Sequence, residues 1–167
     1  LSNLALLFHY VKRLKSLALV AVAVATFGLV GCSSDKGQQQ QAATKVVETV
    51  KGEVEIPANP QRIVDISGSS EELAILGHTV VGTANVDSYD TENIPSYMKD
   101  QLGDAKVVGH SMMETADIEA ILACEPDLII MAPRQEKIYD ELKEIAPTVM
   151  LEDQSNDWEA KLKDVAK

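Results

Sequence analysis

The chain has 167 residues, of which 46 % are hydrophobic, and a formal net charge of −11, which is enough length for one domain with its own core. Its 26 acidic residues outnumber 15 basic ones, and all of the acidic residues lie beyond position 32. This balance argues against binding to nucleic acid, which needs a basic surface, and against a polybasic membrane contact.

The first predicted element is a secretory signal peptide, residues 1–31. Three basic residues precede an uncharged run over residues 16–32, which is the order found in such peptides. A transmembrane anchor is the weaker alternative, because spanning a bilayer takes about 20 apolar residues. Residues 1–10 fit neither interpretation. We interpret them as upstream reading frame, or place the true start at Val11.

The leader closes on Leu29-Val30-Gly31-Cys32, which resembles the lipobox of bacterial lipoproteins. The resemblance implies that the Cys32 thiol receives a diacylglycerol and that the chain is cut before this residue. Lipid chains would hold the protein on a membrane, since each buried methylene contributes about 0.8 kcal/mol. The Ser-, Gly- and Gln-rich stretch that follows predicts a flexible tether, so residues 32–44 form the lipidated cysteine and its tether.

Short apolar runs alternate with amphipathic runs beyond the tether. A hairpin is predicted within residues 45–60, turning at Lys51-Gly52. The strands that follow are predicted at 62–67, 79–84, 106–109, 127–132 and 148–151. The helices are predicted at 69–76, 96–102, 117–124, 134–146 and 157–167. Ser69 and Glu72 have the spacing of a capping box for the first of these helices.

This alternation predicts an α/β fold with a doubly wound, mostly parallel sheet covered on both faces. Ligands of such sheets bind beyond the carboxyl ends of the strands. The polar residues at those ends are the candidate ligand-binding residues: Ser69, Ser70, His110 and Arg134. A nucleotide is disfavoured because the chain has no glycine-rich phosphate-binding fingerprint.

The cysteines and histidines form no pattern typical of a reactive site. We expect Cys124 to be a core residue, since no histidine or other base is close in sequence, and to have no disulfide partner once Cys32 is lipidated. His78 and His110 are isolated, so no metal site is predicted. No catalytic constellation is evident either, and we expect no enzyme activity.

Four large side chains near the predicted strand ends have no assigned role in binding. We interpret Met112 and Met113 as packing residues. Tyr139 and Trp158 are interpreted as aromatic residues of the core or of the exposed face of the domain.

Three segments together resemble one family, the ferric-siderophore-binding lipoproteins of ABC importers. They are GEVEIPANPQRIVDIS, DIEAILACEPDLII and RQEKIYDELKEIAPTV. The resemblance implies two α/β lobes joined by a long rigid helix, with the ligand between them. Residues 45–167 would be the N-terminal lobe of this periplasmic-binding-protein-like fold of the helical-backbone type. The C-terminal lobe would be missing, either through truncation of the gene or because the sequence is a fragment.

The resemblance also implies roles for individual residues. Arg134 would contact the siderophore, as its guanidinium offers a fork of donors to carboxylate or hydroxamate oxygens. A second basic residue often precedes the DIE helix in the family, whereas this chain has only His110 there, as a ligand contact or a plain loop residue. Glu119 would form a salt bridge with an arginine of the permease, although a carboxylate in a first helical turn also favours the helix dipole.

The predicted function is therefore that of a lipid-anchored solute-binding protein. It would capture a ferric siderophore of hydroxamate or citrate type and deliver it to ABC permease subunits on the extracytoplasmic face of a bacterial cell membrane, of Gram-positive type. Ferric iron would enter only as the siderophore chelate, with no other cofactor. The alternatives are the same fold binding haem or a cobalamin, and a truncated remnant that transports nothing.

Overall fold

The computed structural model describes residues 43–84, 87, 89–152 and 157–167. The predicted signal peptide, the lipidation of Cys32 and most of the tether lie outside the described residues. Among the residues that are described, no helix has the length and apolar character needed to cross a membrane.

A two-stranded hairpin opens the described chain. Strand β1 (Thr44–Thr49) pairs antiparallel with β2 (Gly52–Pro57), and Val47 lies opposite Val54. Gly52 takes a φ of +97° directly after the turn, a conformation that glycine adopts without steric cost. The predicted hairpin is therefore confirmed, although its first strand begins at Thr44, inside the predicted tether.

A five-stranded parallel sheet follows, as the apolar strands predict. Its strands are β3 (Ile63–Asp65), β4 (Val80–Thr83), β5 (Lys106–Val107), β6 (Leu128–Met131) and β7 (Thr148–Met150). Their order is β5-β4-β3-β6-β7, and every neighbouring pair is parallel. The chain runs outward from β3 to β5 and then crosses back to β6. The doubly wound prediction is confirmed, and this reversal places a crevice beyond the carboxyl ends of β3 and β6.

The connections between these strands are short helices. They are α1 (Ser70–Ile75), α2 (Lys99–Leu102), α3 (Ile118–Ala123), α4 (Tyr139–Leu142) and α5 (Trp158–Val165), with 3₁₀ helices at Ser96–Met98 and Pro133–Ile138. The single helix predicted for residues 134–146 is wrong, because its first half is 3₁₀ and only α4 is α-helical. The Gln135 side chain accepts a hydrogen bond from the Ala132 amide (2.8 Å), which accompanies this tight first turn.

Alternate residues of each strand point to opposite faces of the sheet, and a cluster of buried side chains covers each face. Ile129 and Met131 belong to one buried cluster, and Leu128 and Ile130 belong to the other. The second cluster also receives side chains from the hairpin. Cys124 is buried in the first cluster, and burial raises the pKa of its thiol. This confirms the prediction of a core cysteine.

Three predictions for single side chains are wrong. Ser69 makes no side-chain cap to α1; its hydroxyl lies 2.8 Å from that of Ser67, while Glu72 pairs with Lys161 (3.0 Å). Met112 is 69 % exposed, and Met113 is also exposed, so neither methionine packs in the core.

The two aromatic residues differ in their surroundings. Trp158 is 70 % exposed at the start of α5 and is not a core residue. Tyr139 is half-buried against the first cluster, and the ammonium groups of Lys51 and Lys143 lie 5.7 and 5.8 Å from its ring centroid.

Candidate functional site

Asp65 organises the loop after the central strand β3. One carboxylate oxygen accepts from the amide (3.0 Å) and hydroxyl (2.6 Å) of Ser67. The other accepts from the Ser69 amide (2.8 Å) and the Ser70 hydroxyl (2.6 Å). Four donors from three residues thus wrap the loop around one fully buried side chain.

Burial sets the protonation behaviour of this carboxyl group. Loss of solvent raises the pKa of Asp65, while the hydrogen bonds from Ser67, Ser70 and the Ser69 amide lower it and only partly compensate. The hydrogen bonds all point from the loop toward the sheet. Asp65 is therefore a buried anchor for the loop and is not itself presented to a ligand.

Gln135 joins three loops at the same edge of the sheet. Its side chain is 1 % exposed, and its amide nitrogen donates to the carbonyl of Ile66 (3.0 Å), which follows β3. The same nitrogen lies within hydrogen-bond distance of the carbonyls of Met113 (3.2 Å) and Ser111 (3.3 Å), in the loop after β5. The third loop is its own, the 3₁₀ segment after β6.

Arg134 is placed beside this junction. It directly precedes Gln135, is half-buried, and lies 3.0 Å from the Met112 sulfur through one guanidinium nitrogen. The exposed Met112 side chain thus lies against the guanidinium. The prediction that Arg134 lies at the carboxyl edge of the sheet is confirmed.

A second cation reaches this edge from α5. The Lys161 ammonium donates to the Gly68 carbonyl (2.7 Å) and pairs with Glu72 (3.0 Å). An ammonium group has three donors, and the contacts of the described residues account for two of them.

These loops and α5 enclose one depression of about 310 Å³. The residues that line it come from these four segments and from the chain after β7: Ser67, Gly68, Ser69, Ser111, Met112, Ala132, Pro133, Arg134, Leu151, Glu152 and Lys161. Both Arg134 and Lys161 are in this set, together with the carboxylate residue Glu152, which pairs with Lys167 (3.7 Å). The depression therefore presents two cations, an apolar thioether and a rim carboxylate.

The structure brings only some of the predicted binding residues together. Ser69 lines the depression with Arg134. Ser70 does not, because its hydroxyl is buried between Asp65 and the Thr83 hydroxyl (2.8 Å). His110 is half-buried outside the lining, and its Nδ1 accepts from the Met112 amide (3.1 Å).

Glu119 lies at the same edge of the sheet. Helix α3 follows the loop after β5, so its N-terminal turn starts where the parallel strands end. Asp117 caps this turn by accepting from the Ala120 amide (2.9 Å), and Glu119 is exposed. No ion pair of Glu119 is formed with any residue that the structure describes, which leaves its carboxylate open to a partner.

Sequence reasoning missed Asp65, Gln135 and Lys161. An acidic residue inside the apolar run IVDIS, followed by three serines, is a signal that could have identified Asp65. Gln135 and Lys161 give no comparable signal, because their contacts depend on how distant segments pack. Within the described part of the chain, no group of three or more His, Cys, Asp or Glu residues could hold a metal ion.

A sequence profile of the periplasmic binding protein family matches residues 65–167, the segment that contains the whole depression. The chain belongs to this family. The match includes every strand of the parallel sheet beyond the first two residues of β3, and it confirms the predicted resemblance and fold class. This periplasmic binding protein carries its depression at the sheet edge where the fold generally places ligands.

The names of two relatives state what those proteins bind. This periplasmic binding protein is 40 % identical over 134 residues to the probable siderophore-binding lipoprotein YfiY of Bacillus subtilis, covering 78 % of the present chain and 40 % of YfiY. It is 34 % identical over 121 residues to the iron(3+)-hydroxamate-binding protein YxeB of the same organism, covering 72 % of this chain and 34 % of YxeB.

One solved structure gives the corresponding fold comparison. Staphylococcus aureus SirA, complexed with staphyloferrin B, aligns with a TM-score of 0.63 and 32 % identity, over 74 % of this chain and 41 % of SirA. This periplasmic binding protein therefore spans less than half the length of the relatives that it matches.

Proposed function

We propose that this protein is the lipid-anchored solute-binding subunit of an ABC importer and that its depression holds a ferric siderophore of hydroxamate or citrate type. The observation that carries the proposal is the convergence of Arg134 and Lys161 on one depression, from separate helices. The relatives named for siderophore and iron(3+)-hydroxamate binding support the ligand class.

The two cations suit the surface of such a ligand. Hydroxamates and carboxylates present paired oxygens, which the planar guanidinium of Arg134 can bind through two parallel hydrogen bonds. The ammonium of Lys161 adds a point charge to the same depression. Clefts for small molecules measure roughly 300–1,000 Å³, so the depression is at the small end of that range and would hold one part of a ligand.

Iron would be the cargo and not a resident cofactor. In a siderophore the chelating oxygens already surround the metal, so the protein needs to recognise only the outer surface of the chelate. The exposed thioether of Met112 offers an apolar contact beside the guanidinium. The site would therefore combine charge recognition with one polarisable contact.

Delivery requires a surface for the permease, and we assign Glu119 to it. Its exposed carboxylate and the depression lie at the same edge of the sheet, so a permease contacting Glu119 would also face the bound ligand. The lipobox resemblance at Cys32 supports attachment to the outer face of the cell membrane. The lipoprotein names of relatives agree with this location.

The test uses the chain's one tryptophan. Trp158 and Lys161 are three residues apart on α5, hence neighbours on the helix surface, and a ferric chelate bound near Lys161 is expected to quench Trp158 fluorescence. Titrations would use ferric citrate, a ferric trihydroxamate, and haemin as a competitor. We expect Arg134→Gln and Lys161→Gln each to weaken binding of the favoured chelate by about tenfold, equivalent to about 1.4 kcal/mol.

The matched control is Lys163→Gln, which removes an exposed lysine from the same helix outside the depression. Its affinity should stay within about twofold of the wild type. Equal weakening by Lys161→Gln and Lys163→Gln would reject the site, and tight binding of haemin alone would support the haem alternative. Absence of binding by the wild type would reject the proposed function.

A further inference from the structure

We propose that Gln135 is a positioning residue for ligand binding, which fixes the loop over residues 111–113 so that Arg134 faces the depression. The inference rests on the proposed function, because it concerns how the same site is held. Gln135 does not line the depression, so its effect on a ligand would be transmitted through its neighbours.

The hydrogen bonds of Gln135 require both halves of its amide. The carbonyl oxygen accepts from the Ala132 amide (2.8 Å), and the nitrogen donates toward three backbone carbonyls at 3.0 to 3.3 Å. A glutamate would keep the acceptor and lose the donors. A leucine of similar size would lose both and leave buried backbone groups unpaired, each at a cost of free energy.

Adjacent residues hold the same loop from two sides. Gln135 contacts the backbone carbonyls of Ser111 and Met113, and Arg134 contacts the Met112 side chain between them. Release of the two carbonyls would free Met112 to move, and the guanidinium would lose the sulfur contact that helps to orient it. Gln135 should therefore act on the ligand through Arg134.

Gln135 also connects this loop to the central strand. The Ile66 carbonyl that it contacts (3.0 Å) lies directly after Asp65. The Asp65 carboxylate in turn holds Ser67, Ser69 and Ser70. The loops after β3, β5 and β6 are thus fixed relative to one another by two buried polar side chains. A ligand meets a site that is already ordered, which lowers the entropy lost on binding.

The test is a double-mutant cycle on the purified protein, with ferric citrate and a ferric trihydroxamate as probes. We expect Gln135→Leu to weaken binding by about tenfold and Arg134→Gln by a similar factor. The double variant should be no more than about twofold weaker than Arg134→Gln alone, since interacting residues give non-additive losses. A purely structural role of Gln135 would instead multiply the two losses.

Hydrogen exchange supplies an independent readout. In Gln135→Leu, the amides of Ala132 and of residues 111–113 should exchange faster, while those within β7 keep their wild-type rates. The control is Gln101→Leu, the same substitution at an exposed position outside the depression, which should alter neither affinity nor exchange in these loops. If Gln135→Leu does not fold, the same cycle is run with Gln135→Glu, which keeps the acceptor for Ala132.

The possible results separate the two proposals. Wild-type binding with unchanged affinity in the folded Gln135 variants would overturn the positioning role and leave the proposed function intact. If the losses of affinity multiply in the double variant, the positioning role is overturned as well. Failure of the wild type to bind either chelate would overturn the proposed function and, with it, the role of Gln135 in binding.

Discussion

Gly68 and Ser111 meet at the wall of the depression, so closely that a Cβ on Gly68 would lie 3.0 Å from the Cβ of Ser111. Real Cβ atoms almost never approach another atom more closely than this. Gly68 also has a φ of +89°, a backbone conformation that residues other than glycine rarely adopt. Both conditions restrict this position to glycine and bring the loops after β3 and β5 into contact.

Gly68→Ala should therefore destabilise the protein for two separate reasons. The backbone conformation costs about 1–2 kcal/mol for a residue with a Cβ, and crowding against Ser111 adds about 1–3 kcal/mol. Gly77→Ala is the matched control, since Gly77 has a φ of +83° and an added Cβ would meet nothing within 4 Å. Urea unfolding should show a larger loss for Gly68→Ala; equal losses would mean that the contact with Ser111 is easily relieved.

The buried carboxyl of Asp65 predicts a specific dependence of stability on pH. Because its folded pKa is raised, the folded protein binds more protons than the unfolded chain between the ordinary value, about 3.9, and the raised one. Stability contributed by Asp65 is fully present below the ordinary value and is lost as the pH rises through the folded pKa.

The comparison variant is Asp65→Asn, which cannot titrate. The free energy of unfolding of the wild type, relative to that of Asp65→Asn, should fall as the pH rises above about 4 and become constant beyond the folded pKa. Urea unfolding at a series of pH values measures this difference. A difference that grows with pH would show that the four hydrogen bonds outweigh burial in setting this pKa.

Glu119 should affect transport without affecting affinity. In the protein coupled to its permease, Glu119→Ala removes the proposed docking carboxylate and should slow uptake of the ferric chelate. An exposed ion pair contributes about 0.2–1 kcal/mol, so the expected loss is at most about fivefold unless a companion carboxylate in a second lobe is removed too. Glu144→Ala is the control, an exposed glutamate that precedes β7 at the opposite edge of the sheet. Normal uptake by a variant that lacks both Glu119 and the companion carboxylate would exclude docking through Glu119.

Lipidation at Cys32 is a prediction that needs no structure. The variant Cys32→Ser should remain uncut by the lipoprotein peptidase and carry no lipid, because the thiol is the atom that is modified. Metabolic labelling with a fatty acid, compared between wild type and variant, measures the result. Label on Cys32→Ser equal to that on the wild type would reject the lipobox.

The fold was predictable because its signals are local. Apolar strands separated by helical segments indicated the parallel sheet, and Lys51-Gly52 indicated the hairpin. The predicted cap from Ser69 to Glu72 failed because both residues have partners elsewhere: the Ser69 amide donates to Asp65, and Glu72 pairs with Lys161. Helix 134–146 failed for a related reason, since periodicity does not reveal that Gln135 is drawn inward to cap its own first turn.

The site was only half predictable. Arg134 could be found because it directly follows a strand, and strand ends define the ligand edge. Lys161 could not, because its presence in the same depression as Arg134 depends on how α5 packs against the loop after β3. His110 is the only basic residue just before the DIE helix in the sequence, and its Nδ1 accepts a hydrogen bond within its own loop.

The contact between Lys161 and the Gly68 carbonyl joins residues separated by 93 positions in the chain. Synthesis at about 5–20 residues per second separates their appearance by several seconds. Long-range contacts of this kind form late, since the entropy of loop closure must be overcome first. We therefore expect the hydrogen bonds from the loop after β3 to Asp65 to form before α5 packs against this loop. The wall of the depression is complete only after α5 has packed. Binding competence should be among the last properties that this protein gains as it folds, and among the first that it loses when α5 frays.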